Sequence, residues 1–341
     1  MKHNFILLLL FIFYACQPSP QSDTIVKYET TGSIIGYDSA LSALIDTGAK
    51  PEIIATGYKW SEGPLWVEAH NMLLFSDVPA NTVYKWTEAA GTEVYLSPSG
   101  YTDSAKRGGE TGSNGLILDA TGKLVLCQHG NRQMAAMDAP LDKPEANFTT
   151  LAKTFNGKRF SSPNDAVYNI AGELFFTDPP YGLTTQNDND PDKEISFNGV
   201  FKLKTNGEVL LLEDSITRPN GLAFLPGEKQ ILVASSDPQK PYWYRYTLSA
   251  SGDSLINRCI FYNALPHMKE GVTGLPDGLK IDKQGNVFAS GPGGIYIFNT
   301  AAKLMGLVQL REPASNVALS PDEKTLYITN NMQVLRLRMR K

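Results

Sequence analysis

The chain is 341 residues long, 42% hydrophobic and 19% charged, with 29 Gly, 21 Pro and a formal net charge of −4. That apolar content fills a core, and turn-rich but non-repetitive Gly and Pro exclude a disordered or coiled-coil protein. A slightly acidic chain also lacks the basic face that nucleic-acid binding requires, and the alternating Arg336, Arg338, Arg340 and Lys341 read as the solvated face of one strand.

At the N-terminus Lys2 and His3 precede an apolar run from Phe5 to Ala15. The run is too short to span a bilayer, which takes about 20 residues, and matches the hydrophobic region of a signal segment. It ends in Phe13-Tyr14-Ala15-Cys16, which resembles a bacterial lipobox. The expectation is a signal over residues 1–15, acylation of the Cys16 thiol, and a tether and lead-in over 16–50 before a folded domain at 51–341. Ordinary signal cleavage nearby, with Cys16 incidental, is the alternative. The protein is then exported and held by its lipid to a bacterial envelope membrane, on the periplasmic or surface face, by more than one acyl chain. Export permits a disulfide, but Cys127 and Cys259 both sit in apolar runs and read as two buried free thiols.

Beyond the tether, one pattern recurs: a Gly/Pro/Asn element, an apolar strand, a turn and a second apolar strand. The copies begin at Ser61-Glu62-Gly63-Pro64, Ser113-Asn114-Gly115-Leu116, Ser162-Pro163-Asn164-Asp165, Pro219-Asn220-Gly221-Leu222, Pro276-Asp277-Gly278-Leu279 and Ser315-Asn316-Val317. Their anchors lie about 40 to 57 residues apart, the length of a four-stranded propeller blade. In the first copy Leu65 to Val67, Leu73 to Phe75, Thr82 to Trp86 and Thr92 to Leu96 read as the four strands. A weak amphipathic stretch from Leu41 to Asp46 is the one competing helical signal. The last copy ends one strand short, whereas Glu52-Ile53-Ile54-Ala55-Thr56 has no blade of its own. Pairing that strand onto the last blade removes an exposed edge and closes an all-β, six-bladed propeller of four antiparallel strands per blade.

The first strand of each blade lines the central channel, so the six anchors Glu62, Asn114, Asn164, Asn220, Asp277 and Asn316 meet on the axis. Asn-Gly alone is consistent with a plain turn, which explains neither Glu62 nor a full ring of oxygen donors. Such a ring suits a hard divalent cation, calcium above all, and with no His or Cys it disfavours zinc.

At these residues the sequence resembles the senescence-marker-protein/gluconolactonase family of calcium-dependent propeller hydrolases. The resemblance runs from Gly57 onward through Trp60 to Trp66, Phe75 to Asn81, Gly112 to Leu116, Cys127 to Arg132, Gly157 to Phe160 with Ser162 to Asp165, Phe176 to Gly182, Pro219 to Leu222 and Pro276 to Gly278. It implies metal ligation by Glu62, Asn164, Asn220 and Asp277, and hydrolysis of a small cyclic ester such as a sugar lactone. Animal members carry an Arg two residues before the middle-repeat Asn as a substrate contact; here that position is Ser162, so either Arg159 or Arg132 substitutes or the substrate differs, and Asn114 is a further candidate substrate contact.

The expected chemistry is attack of water on an ester carbonyl polarised by the ion. The chain has no Gly-x-Ser-x-Gly elbow for a serine triad. Asp277 is the base that the resemblance implies, with His129 as the alternative. Asp77 and Asp178, which end second strands, read as hydrogen-bond acceptors within their blades, and Trp60, Trp66 and Trp86 as core. The acidic stretch Asp188, Asp190, Asp192 and Glu194 reads as a solvated loop. No obligate protein partner is implied. A non-catalytic ligand-binding propeller with a structural ion, or a phosphotriesterase-like hydrolase, are the competing functions.

Overall fold

Each repeat forms a sheet whose second strand is buried on both faces between neighbouring blades, which is why those strands read as continuous apolar runs. Every residue of Met72–Asp77, Leu124–Gln128, Leu174–Asp178 and Val287–Gly291 is buried. The computed structural model describes Met1 and residues 27–340, so the signal segment, the Cys16 acylation site and the Gln17-to-Ser22 tether lie outside the described residues.

Blade 1 comprises Ser61–Val67, Met72–Asp77, Thr82–Thr87 and Gly91–Leu96, paired in that order, and blade 2 Ser113–Leu118, Leu124–Gln128, Gln133–Met137 and Phe148–Ala152. Blade 3 comprises Ala166–Tyr168, Leu174–Asp178, Gly199–Leu203 and Val209–Glu213; blade 4 Pro219–Phe224, Gln230–Ser235, Tyr242–Leu248 and Leu255–Asn263. Blade 5 is built on Leu279–Ile281, Val287–Gly291, Gly294–Phe298 and Leu304–Gln309, and blade 6 on Ala314–Leu319, Thr325–Asn330 and Gln333–Arg338. The innermost strands of successive blades touch in cyclic order, the sixth returning to the first. The fold is a six-bladed, all-β propeller.

Glu52–Thr56 completes blade 6, pairing antiparallel with Gln333–Arg338 (Ile53 opposite Leu335). The reading of the basic C-terminal residues needs correction at two positions: Arg340 pairs with Asp282 and Glu323, and Arg336 departs further. Arg336 is 4% exposed, donates to Glu52 over 2.7 Å, bonds Glu88 as well, and lies over the Trp86 ring; its neighbour Arg338 is solvated.

The lead-in is also more ordered than a tether. Ser33–Gly36 adds a fifth strand to the outer edge of blade 5, and Asp38 caps a short 3-10 helix, Ser39–Ala43, by accepting from Ala40 N at 2.7 Å. Ile34, Leu41, Leu44 and Ile45 bury in the layer between blades 5 and 6. Part of the lead-in thus packs onto the propeller, because that layer takes up the apolar residues which sequence periodicity registers as a weak amphipathic stretch.

The other apolar layers likewise lie between blades: Phe175 and Val200 of blade 3, for example, pack on Leu222, Val233 and Tyr246 of blade 4. Buried hydroxyls tie blades 1, 5 and 6 each to the inner strand of the next. Ser76 Oγ donates to Asn114 O at 2.9 Å, Ser290 Oγ to Ser315 O at 2.8 Å, and Ser315 Oγ to Ser61 O at 2.7 Å. Cys127 is buried in blade 2 as expected, but Cys259 is exposed on the outer strand of blade 4; both thiols are free.

Candidate active site on the propeller axis

Two carboxylates hold the chain that enters the axis. Asp77 accepts from Lys59 N at 3.1 Å and Trp60 N at 3.2 Å, and Asp178 from Ser161 N at 2.9 Å and Ser162 N at 2.7 Å. Both sit at the end of a second strand, and they fix the segments leading to Glu62 and Asn164. Burial pushes the Asp178 carboxyl up to about 6 even though two backbone N–H groups favour its ionised form.

The residue after most anchors is glycine for a packing reason. A Cβ on Gly221 would lie 2.4 Å from Asp277 O, and one on Gly278 would lie 1.9 Å from Asn316 Cγ. Neither glycine has a left-handed backbone, so what each provides is close approach of one anchor to the next, not a turn.

Glu62, Asn114, Asn164, Asn220 and Asp277 line one cavity of about 350 Å³. Four of them are at most 4% exposed, and Asp277 is half-buried with its Oδ1 shut off from solvent. The sixth anchor, Asn316, does not line it. Its Nδ2 reaches Asp165 Oδ2 at 3.3 Å, and Lys280 Nζ stands 3.8 Å from the same oxygen. Asp165 occupies the place that is glycine after four of the anchors, and its bond with Asn316 spans the channel from blade 3 to blade 6.

Gly63 N donates to Glu62 Oε2 at 2.9 Å, and Asn220 Nδ2 to Ser236 Oγ at 2.9 Å, which in turn donates to Pro276 O at 2.6 Å. These bonds leave the acidic pair uncompensated. Burial, with Asp165 and Glu110 nearby, pushes the Glu62 carboxyl up to about 8. Burial and the adjacent Glu62 hold Asp277 well above the ordinary carboxylate range. Neither has an ion-pair partner among the described residues, and the buried oxygens Asp277 Oδ1 and Asn114 Oδ1 have no hydrogen-bond partner.

Two carboxylates with amide oxygens, short of positive charge and hydrogen bonds, fit a hard divalent cation, which would relieve both deficits. Among the described residues no three His, Cys, Asp or Glu side chains come together to hold a metal, so amide oxygens would have to complete the set. That is the composition the anchors offer.

Trp60, Glu110 and Tyr181 are among the further residues that line the cavity. Trp60 is thus not core, unlike Trp86 (1% exposed), while Trp66 stacks on Tyr327 with centroids 5.2 Å apart. Glu110 comes from the connection between blades 1 and 2. The available signal was its place in the glycine-rich run Gly108 to Gly112, four residues ahead of Asn114.

His129 is wholly buried and does not line the cavity. Its Nδ1 lies 3.2 Å from Glu110 Oε2, so it stands behind a carboxylate that does. Arg132 and Arg159 are likewise outside the cavity. With Arg107 and Lys153 they line a separate depression of about 770 Å³. Arg132 Nε donates to Phe160 O at 2.6 Å, and Arg159 N to Glu194 Oε2 at 2.7 Å. The acidic stretch is tied down: Asp190 accepts from Thr185 N at 2.7 Å and Asp188 pairs with Arg218 at 2.6 Å.

Residues 60–331 match the family described as SMP-30/Gluconolactonase/LRE-like region. The chain is 39% identical over 313 residues to a gluconolactonase from Zymomonas mobilis, a match covering 91% of this chain and 86% of that one. A pentonolactonase from Haloferax volcanii is 22% identical, with coverage of 81% and 83%. Among solved structures, a gluconolactonase from Xanthomonas campestris superposes with a TM-score of 0.77 at 26% identity, covering 92% of this chain and 99% of that one. A calcium-binding regucalcin from Agrobacterium tumefaciens shares the fold, with a TM-score of 0.64 at 14% identity and coverage of 86% and 95%. With a family match over most of its length and a relative this similar across nearly all of it, the chain belongs to the SMP-30/gluconolactonase/LRE-like family.

Proposed function

We propose that the protein is a lactonase that opens a small polyhydroxylated cyclic ester, of the gluconolactone type, in the axial cavity. The observation that carries the reading is the pair of unpartnered buried oxygens, Asp277 Oδ1 and Asn114 Oδ1, in a cavity of monosaccharide size shared with Glu62. The named activities of the Zymomonas and Xanthomonas relatives support it.

Glu62, Asn164, Asn220 and Asp277 are the residues that would hold a hard divalent cation, calcium in the first instance. When bound, such an ion supplies Lewis-acid polarisation of the ester carbonyl. The chain's own residues do the rest. Asp277 Oδ1, free of any other hydrogen bond, accepts a proton from the attacking water. Trp60 and Tyr181 wall the cavity and hold the ring against the axis. Hydrolysis turns a neutral lactone into an anion beside Glu110 and Glu62, and like-charge repulsion there favours product release. Cys16 is proposed to carry the lipid that holds this domain at an envelope membrane.

The test is acid release from glucono-δ-lactone and from pentonolactones, followed at constant pH. With calcium the rate is expected to exceed spontaneous hydrolysis by orders of magnitude, and to return to it with a chelator. Activity surviving full cation removal would refute the metal role, and no turnover of any lactone would refute the enzyme.

A further inference from the structure

Glu110 is placed where folding alone gives no reason to put a carboxylate. It faces a cavity that already holds Glu62 and Asp277, and it is kept there by several independent contacts. Arg107 donates to both Gly130 O and Gly182 O, clamping the 103–110 segment over blades 2 and 3. Gly109 has φ +76, and a Cβ there would lie 2.5 Å from Leu183 O. Gly112 N donates to Val78 O at 2.8 Å.

Behind the carboxylate lies His129, 0% exposed, with Nδ1 3.2 Å from Glu110 Oε2. Apart from that contact neither ring nitrogen has a partner. The ring is pinned by its backbone, which donates to Gly112 O at 3.1 Å, and by Gly182, where a Cβ would stand 2.7 Å from His129 Cβ. The imidazole has no other polar neighbour, and at 3.2 Å without a formed hydrogen bond it is placed to steer that carboxylate. Glu110 lines the cavity with Glu62 and Asp277 but does not close with them into a cluster of three acidic, His or Cys side chains around one point. Its free oxygen therefore faces whatever occupies the cavity. A carboxylate is an acceptor only, so its complement is a hydroxyl-bearing ligand.

We infer that Glu110 is a specificity residue that accepts hydrogen bonds from the ring hydroxyls of a polyhydroxylated lactone, and that His129 is the positioning residue that aims it. This rests on the lactonase reading and deepens it, because it separates sugar lactones from bare aliphatic ones. A hydrogen bond to a charged group that only one substrate makes discriminates by roughly 10- to 100-fold.

The experiment measures kcat/KM for glucono-δ-lactone and for δ-valerolactone, which has the same ring size and no hydroxyl, on the whole purified protein and three variants. Glu110→Gln is expected to lower the gluconolactone-to-valerolactone ratio by roughly 10- to 100-fold, with calcium affinity by calorimetry falling by less than the roughly 10- to 100-fold that loss of a ligand's outer partner costs. His129→Leu is expected to lower the ratio similarly. His129→Asn, whose amide N–H stands near the lost Nδ1, is expected to restore most of it, which a purely structural role for His129 would not produce. A ratio unchanged in Glu110→Gln overturns the inference, as does a large loss of calcium affinity in that variant, which would make Glu110 a cation ligand. Should the wild type hydrolyse neither lactone, the lactonase reading falls separately. Binding of 1,5-anhydroglucitol, a ring polyol with no ester, then decides the role of Glu110: weaker binding to Glu110→Gln sustains it, and equal or no binding by both overturns it.

Discussion

Asp277→Asn is expected to lower kcat on glucono-δ-lactone by about 10²- to 10⁴-fold, the range for loss of a positioned general base, while a cation still binds, more weakly. Asn keeps one oxygen at the same place but cannot take a proton from water. The variant is not expected to unfold. Asp277 is buried beside Glu62, and both act to raise its pKa, so the neutral amide is easier to bury than the ionised acid. Rate measurement at saturating calcium, with calorimetry to show that the ion is present, separates the two effects. Turnover close to wild type would exclude Asp277 as the proton acceptor and pass that role to Glu110, the other carboxylate lining the cavity outside the proposed ligand set.

The second large effect belongs to Glu62→Gln. Loss of even an outer partner of a metal ligand typically lowers affinity 10- to 100-fold, so removal of a charged ligand is expected to lower calcium affinity by more than about 100-fold and to abolish activity at ordinary calcium concentrations. Stability should move the other way. In the cation-free protein the Glu62 carboxyl is pushed from 4.5 up to about 8. A raised acid pKa stabilises the fold fully below about 4.5, and that contribution is lost as the pH rises through about 8. Glu62→Gln has no such loss, so without cation near pH 8 it is expected to melt at or above the wild-type temperature, and calcium should no longer raise its Tm. For the wild type the same displacement of a proton makes calcium affinity rise with pH up to about 8 and flatten above it. A variant that melts well below the wild type in chelator yet keeps its calcium response would show that Glu62 is structural.

The propeller was legible because each blade's second strand is buried on both faces and so announces itself as an apolar run between turns. The leftover Glu52 to Thr56 was legible because a short last repeat needs an outer strand. Five of the six anchors reach one cavity for the reason the repeat suggested, namely that equivalent positions on symmetric blades converge. Asn316 departs because its neighbour on the other side of the channel is Asp165, and which side chain an amide turns toward is a tertiary fact. Glu110 was missed because it comes from an inter-blade connection, where repeat logic says nothing. Arg132, a candidate substrate contact, lies outside this cavity because its left-handed backbone (φ 58) places it in a tight turn after the second strand of blade 2, bonded to Phe160 O. His129, the alternative base, stands behind Glu110, and a sequence does not tell which of two adjacent polar groups stands in front. The Ser33–Gly36 strand was obscured because four residues on an outer edge carry almost no periodicity.

The most direct measurement is diffraction from crystals grown with calcium and then exchanged into manganese, recorded at a wavelength where manganese scatters anomalously. The account predicts one strong anomalous peak on the propeller axis, with oxygens of Glu62, Asn164, Asn220 and Asp277 around it, at about 2.3–2.6 Å in the calcium form. A peak confined to another part of the molecule, or an axis left without one at saturating cation, would contradict it.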